Sequence, residues 1–390
     1  MSDWQRIIKE ESIATLEKLA DKFGHDVIDV EALKPAFDNF QMRLTPAALD
    51  SIKEVGDPMW QQYIPTVEEL DVVDGMIDSL DEDSDSPVPN ITHRYPDRAL
   101  FLVSPICATY CRFCTRRRKV GDPEKIPLNQ YDSAFEYLRQ HTEIRDVIMS
   151  GGDPMMLSDR RLEYLFQQLR AIPHIEIIRI GSRITSHLPE RITPEFCDMV
   201  QKYHPIFMNT HFNHPDELTP AAVASLDRLS RAGVSLGCQT VLLKGVNDDA
   251  KVMMKLMHEL LKARVRPYYI YMADQVAGGE HFRTTVQKGL EIMQALRGWT
   301  SGLAVPQFVI DAPGGGGKVP LLPEYVEEIN DDEVIFRNYE GKRFTYKQPR
   351  PMTTTPEQPE AQPDIVPIRR GKRKEKEGVA RTRRRKASGE

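Results

Sequence analysis

From residue 99 onward the chain alternates between short apolar runs and amphipathic stretches, and few folds accommodate that order. Strand-like runs lie at 100–104, 146–150, 174–180, 205–210, 234–243, 267–272 and 305–311. Between them, apolar residues recur at helical spacing near 129–141, 159–171, 194–203, 219–232, 249–264 and 285–298. Strand, helix, strand in regular order calls for parallel strands joined by right-handed crossovers. Six or seven such units suit a barrel or partial barrel better than a short open sheet. Chemistry in that architecture sits just past the C-terminal ends of the strands. The reading therefore predicts Cys107, Asp153, Asn209, His211, Gln239, Asp274 and Asp311 on one rim.

The first of those loops carries Cys107, Cys111 and Cys114, three of the five cysteines of the chain. Structural zinc wants four ligands, and no fourth Cys or well-spaced His follows nearby. A [4Fe–4S] cluster has four irons, so three thiolates leave one open for a non-protein ligand. The plain alternative is three buried thiols acting as small hydrophobes. The spacing resembles that of the radical S-adenosylmethionine (SAM) enzymes, in which SAM chelates the open iron.

Composition sets the outer limits. Hydrophobic residues make up 40% and charged residues 28% of the 390, as in a globular domain with extensions. No apolar run approaches a membrane span, and Met1 to Glu10 is charged and lacks a signal-peptide core. A reducing cytoplasm is the expected compartment. The net charge of −6 is uneven, because Arg369 to Glu390 holds 11 Lys/Arg against 3 acidic residues.

Four segments follow from the pattern. Residues 1–98 read as a helical arm, with Ile7, Ile8, Ile13, Leu16 and Leu19 at helical spacing, and an irregular lead-in over 57–98. Within the lead-in, Asp81-Glu-Asp-Ser-Asp85 fails as a calcium loop, since Ser86 stands where Gly is needed, and reads as a solvated acidic turn. Residues 99–320 form the (β/α) partial barrel. Residues 321–347 read as an extension with a small hairpin of 334–336 and 343–346. Residues 348–390 are poor in apolar residues and are expected to form a disordered basic tail.

Two further motifs carry chemistry. Ser150-Gly-Gly-Asp153 ends the second strand, where glycines allow close approach and exposed N–H groups suit a carboxylate. Asp311-Ala-Pro-Gly-Gly-Gly-Gly-Lys318 is not a phosphate-binding loop, because Ala312 and Val319 stand where Gly and Ser/Thr are required. A flexible glycine run can instead present a lysine amine to a carbonyl cofactor.

These motifs fall into a longer series. His93-Arg-Tyr-Pro-Asp-Arg98, the cysteine loop through Arg118, Ser150 to Asp153, Arg179-Ile-Gly-Ser-Arg183, Asn209 to Pro215, Gly245-Val-Asn-Asp248, Arg266 to Tyr271, His281-Phe-Arg-Thr284 and Asp311 to Lys318 resemble, in one order, the lysine 2,3-aminomutase family. The resemblance covers roughly residues 45 to 345. It implies a radical SAM partial barrel that also uses pyridoxal 5′-phosphate (PLP). It implies that Cys107, Cys111 and Cys114 ligate the cluster, and that Lys318 holds PLP as a Schiff base. Arg94, Tyr95 and Arg98 would contact the PLP phosphate, and Arg116 the substrate α-carboxylate. Asp274 and Asp311 would bind the distal ammonium of lysine, and Asp153, Gln239 and His211 would contact SAM. The implied reaction is the interconversion of L-lysine and L-β-lysine by a 5′-deoxyadenosyl radical, the nitrogen migrating from C2 to C3 on PLP. An electron donor such as flavodoxin or ferredoxin and a homo-oligomer built through the N-terminal arm are implied as partners, with no membrane.

The paired acids support lysine on physical grounds. Two carboxylates in a closed site repel unless a cation lies between them, and an alkylammonium meets that need. The same chemistry on arginine or glutamate is the nearer alternative. A nucleic-acid- or protein-modifying radical SAM enzyme is the farther one, suggested by the basic tail and opposed by Lys318. The sequence also departs from the family: Asp249 follows Val246-Asn-Asp248 and no cysteine comes after Cys238, so the interfacial zinc site of relatives is not expected.

Overall fold

The computed structural model describes residues 2–349. The basic segment from Arg369 and all but the first two residues of the expected tail lie outside them. Nine strands form one sheet in sequence order: β1 (Ile91–Tyr95), β2 (Arg98–Ser104), β3 (Asp146–Gly151), β4 (Ile177–Ser182), β5 (Ile206–His211), β6 (Ser235–Leu242), β7 (Arg266–Met272), β8 (Gln307–Ala312) and β9 (Gly317–Leu321). From β2 to β8 every neighbouring pair is parallel, while β1 and β9 add antiparallel edges. This is the partial barrel that the alternation predicts.

The crossovers are helices Tyr131–Gln140, Asp159–Arg170, Pro194–Val200, Pro220–Arg231, Ala250–Lys262 and Val286–Leu296. Local chemistry starts them where they start. Thr193 and Thr219 accept the backbone N–H three residues on, each followed by a proline whose fixed φ suits the first helical position. Asp249 and Thr285 cap the next two helices. Val147, Met149, Ile178, Ile180, Met208 and Cys238 pack into the main core. The alternate positions Ile148, Ser150, Arg179, Asn209, His211, Gln239 and Tyr271 face a central cavity. Register aligns these inward residues in rows, for example Ile148 beside Arg179 and His211 beside Gln239 beside Tyr269.

The N-terminal arm has its own apolar core, including Leu19, Leu44, Met59, Trp60 and Tyr63. It joins the barrel through Thr45, whose hydroxyl donates to the His187 carbonyl, and through the edge contact of the Tyr63 and His187 rings at 5.3 Å.

Two local expectations are corrected, and a third, the hairpin of 334–336 and 343–346, is found and extended. The lead-in is not wholly irregular: it holds a helix at Pro58–Tyr63 and the strand β1. The Ile-Thr-His-Arg-Tyr sequence of β1 lacks a run of apolar residues because it is an edge strand that turns Arg94 and Tyr95 to the cavity. Lys318 does not ride on a free glycine loop but sits in β9, directly opposite Asp311 in the antiparallel register. The expected hairpin is part of a three-stranded meander, in which β10 (Val326–Ile329) pairs with β11 (Glu333–Arg337), and β11 with β12 (Arg343–Lys347).

Candidate active site

A cavity of about 540 Å³ opens at the C-terminal ends of the parallel strands. It is lined by Cys107, Cys111, Cys114, Arg94, Tyr95, Arg98, Asp153, Gln239, His211, Arg116, Asp274, Asp311 and Lys318, so the fold gathers every residue singled out by the sequence. Its size is within the range of small-molecule sites.

The arm holds the cysteine loop from outside. Arg43 donates to the Cys107 carbonyl at 3.1 Å, and the Arg112 N–H donates to the Gln62 carbonyl at 2.9 Å. Glu69, fully buried, takes both Arg112 (2.7 Å) and Arg117 (2.9 Å). From inside, Arg183 at the end of β4 donates to Cys111 Sγ at 2.8 Å and pairs with Glu217 at 2.6 Å. Burial, then Asp153 and the two other thiols, push the Cys107 thiol well above its ordinary value. Bound iron reverses that preference by taking the thiolate.

The Ser150-Gly-Gly turn does a different job from the one expected. The N–H groups of Gly152 and Asp153 are not exposed; they donate to the carbonyls of Ser104 (2.6 Å) and Ile106 (2.8 Å). A Cβ at Gly151, where φ is +125°, would lie 2.3 Å from the Ser104 carbonyl oxygen. The glycines therefore let the cysteine loop lie against β3. Asp153 lines the cavity, but its carboxylate is occupied by Ser182 Oγ (2.8 and 2.9 Å) and by the N–H groups of Met155 and Arg183. Burial raises its carboxyl above the usual range despite those bonds. His211 Nε2 meets Asn213 Oδ1 at 3.0 Å, and burial, helped by Arg183, drives its imidazole well below the usual value, so the ring is neutral at pH 7.

At the other side of the cavity the Lys318 ammonium lies 3.1 Å and 3.2 Å from the two oxygens of Asp311, and its backbone N–H donates to the Tyr95 hydroxyl at 2.9 Å. That last bond links β9 to β1 across the open edge of the sheet. Arg98 stacks on the Tyr95 ring at 4.0 Å, and Arg94 donates from Nε to Asp85 at 2.7 Å. Asp274, just after β7, has its carboxyl pushed up to about 7, by burial first and by Asp311 second.

Residues 101–257 match the family described as the radical SAM superfamily, and residues 293–387 that described as lysine-2,3-aminomutase. The L-lysine 2,3-aminomutase of Fusobacterium nucleatum is 49% identical over 91% of this chain and 84% of its own length. That of Clostridium subterminale is 48% identical, over 89% and 84%. The glutamate 2,3-aminomutase of Clostridioides difficile is 44% identical, over 80% and 75%.

The chain belongs to the lysine 2,3-aminomutase family. It is accordingly a radical SAM isomerase whose cofactors are a [4Fe–4S] cluster, SAM and PLP. The donor sets in this aminomutase suit all three. Its three loop cysteines are free of disulfides. Among the described residues no three His, Cys, Asp or Glu side chains gather tightly enough for one ion; a cluster does not ask for that, since each corner iron takes its own thiolate. Lys318 offers an amine inside the cavity with two guanidinium groups, Arg94 and Arg98, on the strand edge beside it, and a guanidinium fork matches a phosphate.

Two site features of the aminomutase were not read from its sequence. Arg183 ends a quoted motif, yet its contact with Cys111 depends on the fold. Asp81 to Asp85 is a turn of which only part is solvated, with Asp83 and Ser84 exposed. Glu82 is buried and binds Arg116, while Asp83 pairs with Lys119 at 2.7 Å and Asp85 with Arg94 at 2.7 Å. Burial raises the Glu82 carboxyl, but Arg116, Lys119 and Arg118 outweigh it and hold it below the usual range. The available signal was the complementary charge of this acidic run and the Arg116-Arg-Arg-Lys119 run.

Proposed function

We propose that this aminomutase interconverts L-lysine and L-β-lysine with the residues of this cavity in defined roles. One observation carries the substrate assignment: Asp311 already holds an alkylammonium, that of Lys318, at 3.1 Å, beside an Asp274 that burial and like charge push up to about 7. Two neighbouring buried acids need a cation. Once Lys318 is committed to the cofactor, the ε-ammonium of substrate takes that place. When bound, the cluster and SAM supply the 5′-deoxyadenosyl radical, and PLP supplies the π-system on which the nitrogen migrates.

The chain's own residues bind and place. Cys107, Cys111 and Cys114 hold the cluster, and Lys318 holds PLP. Arg94, Arg98 and the Tyr95 hydroxyl receive the PLP phosphate. Gln239 and the neutral His211 face SAM, and Asp153 supports that region by tying the loop after β3 to the end of β4. Arg116 takes the α-carboxylate, so the two ends of lysine are fixed and C3 is placed between them. Fixing both ends matters because a small misplacement of the reacting carbon is costly. The decisive assay is anaerobic incubation with SAM, PLP, a reductant and lysine, arginine or glutamate in turn. Lysine should give β-lysine, and glutamate, whose carboxylate would face two acids, should turn over poorly. Comparable turnover of glutamate and lysine would remove the assignment.

The remaining partners are also our inference. The reaction needs an electron donor such as flavodoxin or ferredoxin. The N-terminal arm is our candidate for homo-oligomer contact. The segment from Arg369, by its charge, suits weak salt-dependent contact with nucleic acid or an acidic partner. A cytoplasmic location fits the free cysteines, and no helix of the described residues is long and apolar enough to cross a membrane.

A further inference from the structure

The acidic stretch that precedes β1 is pinned along the cavity, which its Leu80 and Glu82 line. The Met76 N–H donates to the Gln275 carbonyl at 2.8 Å, next to Asp274, and the Gly314 N–H donates to the Ser79 carbonyl at 3.1 Å, on the turn that leads to Lys318. Asp78 pairs with Arg118 at 2.6 Å. The stretch is thus anchored to the elements that carry Asp274 and Lys318, and Glu82 lies between these anchors and β1.

Glu82 meets Arg116 side-on. Its oxygens accept from Nε at 2.9 and 3.1 Å and from Nη2 at 2.7 Å. A guanidinium has five N–H donors in a rigid plane, and a side-on carboxylate uses only two of them. The end edge, formed by Nη1 and the second hydrogen of Nη2, remains for another carboxylate. Nη1 lies 3.4 Å from Ser150 Oγ at the end of β3, which places that edge at the rim. Arg116 can therefore hold two carboxylates at once, one on each edge. The Glu82 side chain is 6% exposed and that of Arg116 22%, so the buried partner is the fixed one and the arginine is the one the cavity reaches.

We propose that Glu82 is a positioning residue, which orients Arg116 so that its end edge receives the α-carboxylate of the substrate. This rests on the assignment of Arg116 made above. A long arginine side chain held on one edge loses little further freedom when the other edge is engaged. The opposite reading is also definite: Glu82 would be a stand-in that the substrate carboxylate must displace. The two readings predict effects of opposite sign.

The test uses the holoenzyme with its cluster and PLP, without reductant. Binding of lysine and of lysinamide, which lacks the carboxylate, is followed by the PLP absorbance. For Glu82→Gln the preference for lysine over lysinamide should fall about tenfold or more, with lysinamide affinity, iron and PLP content unchanged. Glu82→Asp should recover part of the preference, and provides the readout if Glu82→Gln does not fold. In turnover, KM for lysine should rise more than kcat falls. An unchanged preference in Glu82→Gln overturns the proposal, and so does a raised one, which would make Glu82 a competitor. Arg116→Lys separates the two layers. If it lowers the preference while Glu82→Gln does not, Glu82 alone is misassigned. If neither lowers it, the carboxylate site lies elsewhere and both assignments fall.

Discussion

At the residue scale, charge near neutral pH is decided by Asp274. Its carboxyl is pushed up to about 7 by burial and by Asp311, so below that pH it is largely protonated and neutral. The lysine ammonium stays charged throughout this range. Binding the ammonium favours the ionised carboxyl, and the proton must leave for full affinity. The affinity for lysine should therefore increase as pH rises through the Asp274 titration, and weaken by about tenfold per unit well below it. That titration lies at about 7 with the Lys318 ammonium free and moves up once that amine is committed to PLP. Titrating lysine into the holoenzyme between pH 5.5 and 8.5 measures this, and in Asp274→Asn the step should vanish together with most of the affinity. Lys318 allows a second residue-scale prediction. Borohydride treatment of the PLP-loaded enzyme should fix the cofactor on Lys318, and Lys318→Ala should retain no covalent label by peptide mapping. A label on Lys288, which lies on the helix Val286–Leu296, would contradict it.

At the scale of elements, the loop after β2 and the turn after β3 work as one unit. Gly151 has φ +125° and a Cβ there would meet the Ser104 carbonyl at 2.3 Å. Gly151→Ala must strain the turn or push the cysteine loop away, at a cost of roughly 1–3 kcal/mol. The expected result is a lower melting temperature and less iron retained after anaerobic reconstitution. Full iron content in a destabilised Gly151→Ala protein would mean that the turn supports the barrel but not the loop. Gly181 is a useful contrast, since a Cβ there meets nothing closer than 3.8 Å and its φ is ordinary. Gly181→Ala should lose little stability, whatever it does to the cavity it lines.

At the scale of the whole molecule, the N-terminal arm and the barrel are joined by ions inside the protein. Glu69 is fully buried between Arg112 and Arg117 of the cysteine loop. Removing its charge leaves two guanidinium groups without their carboxylate, and breaking a buried pair in this way costs roughly 3–5 kcal/mol. Glu69→Gln should lower the melting temperature strongly and loosen the cluster, read as faster loss of iron to a chelator. Unchanged iron release would limit the arm to a role apart from the cluster.

The alternation of apolar runs determined the parallel core, because strand and helix periodicities are local and only one handed crossover closes them. The cysteine spacing and the motifs determined which residues meet: the cysteines, Asp153 and Asp274 stand just past strands, while Asn209, His211, Gln239 and Asp311 lie within the strands themselves, on their inward-facing positions. Other features needed the tertiary structure. β1 and β9 are edge strands: β1 turns Thr92, Arg94 and Tyr95 to the cavity, and β9, largely exposed, turns Lys318 to it, so neither carries an apolar run to read. Lys318 lies opposite Asp311 only because an antiparallel register puts it there. The acidic run 81–85 looks like a solvated turn until the fold lays it against Arg94, Arg116 and Lys119, more than 30 residues away for the last two. Charge in a sequence states what a group needs; which group answers it is settled by packing, since a buried carboxylate must find its partner wherever the fold brings one.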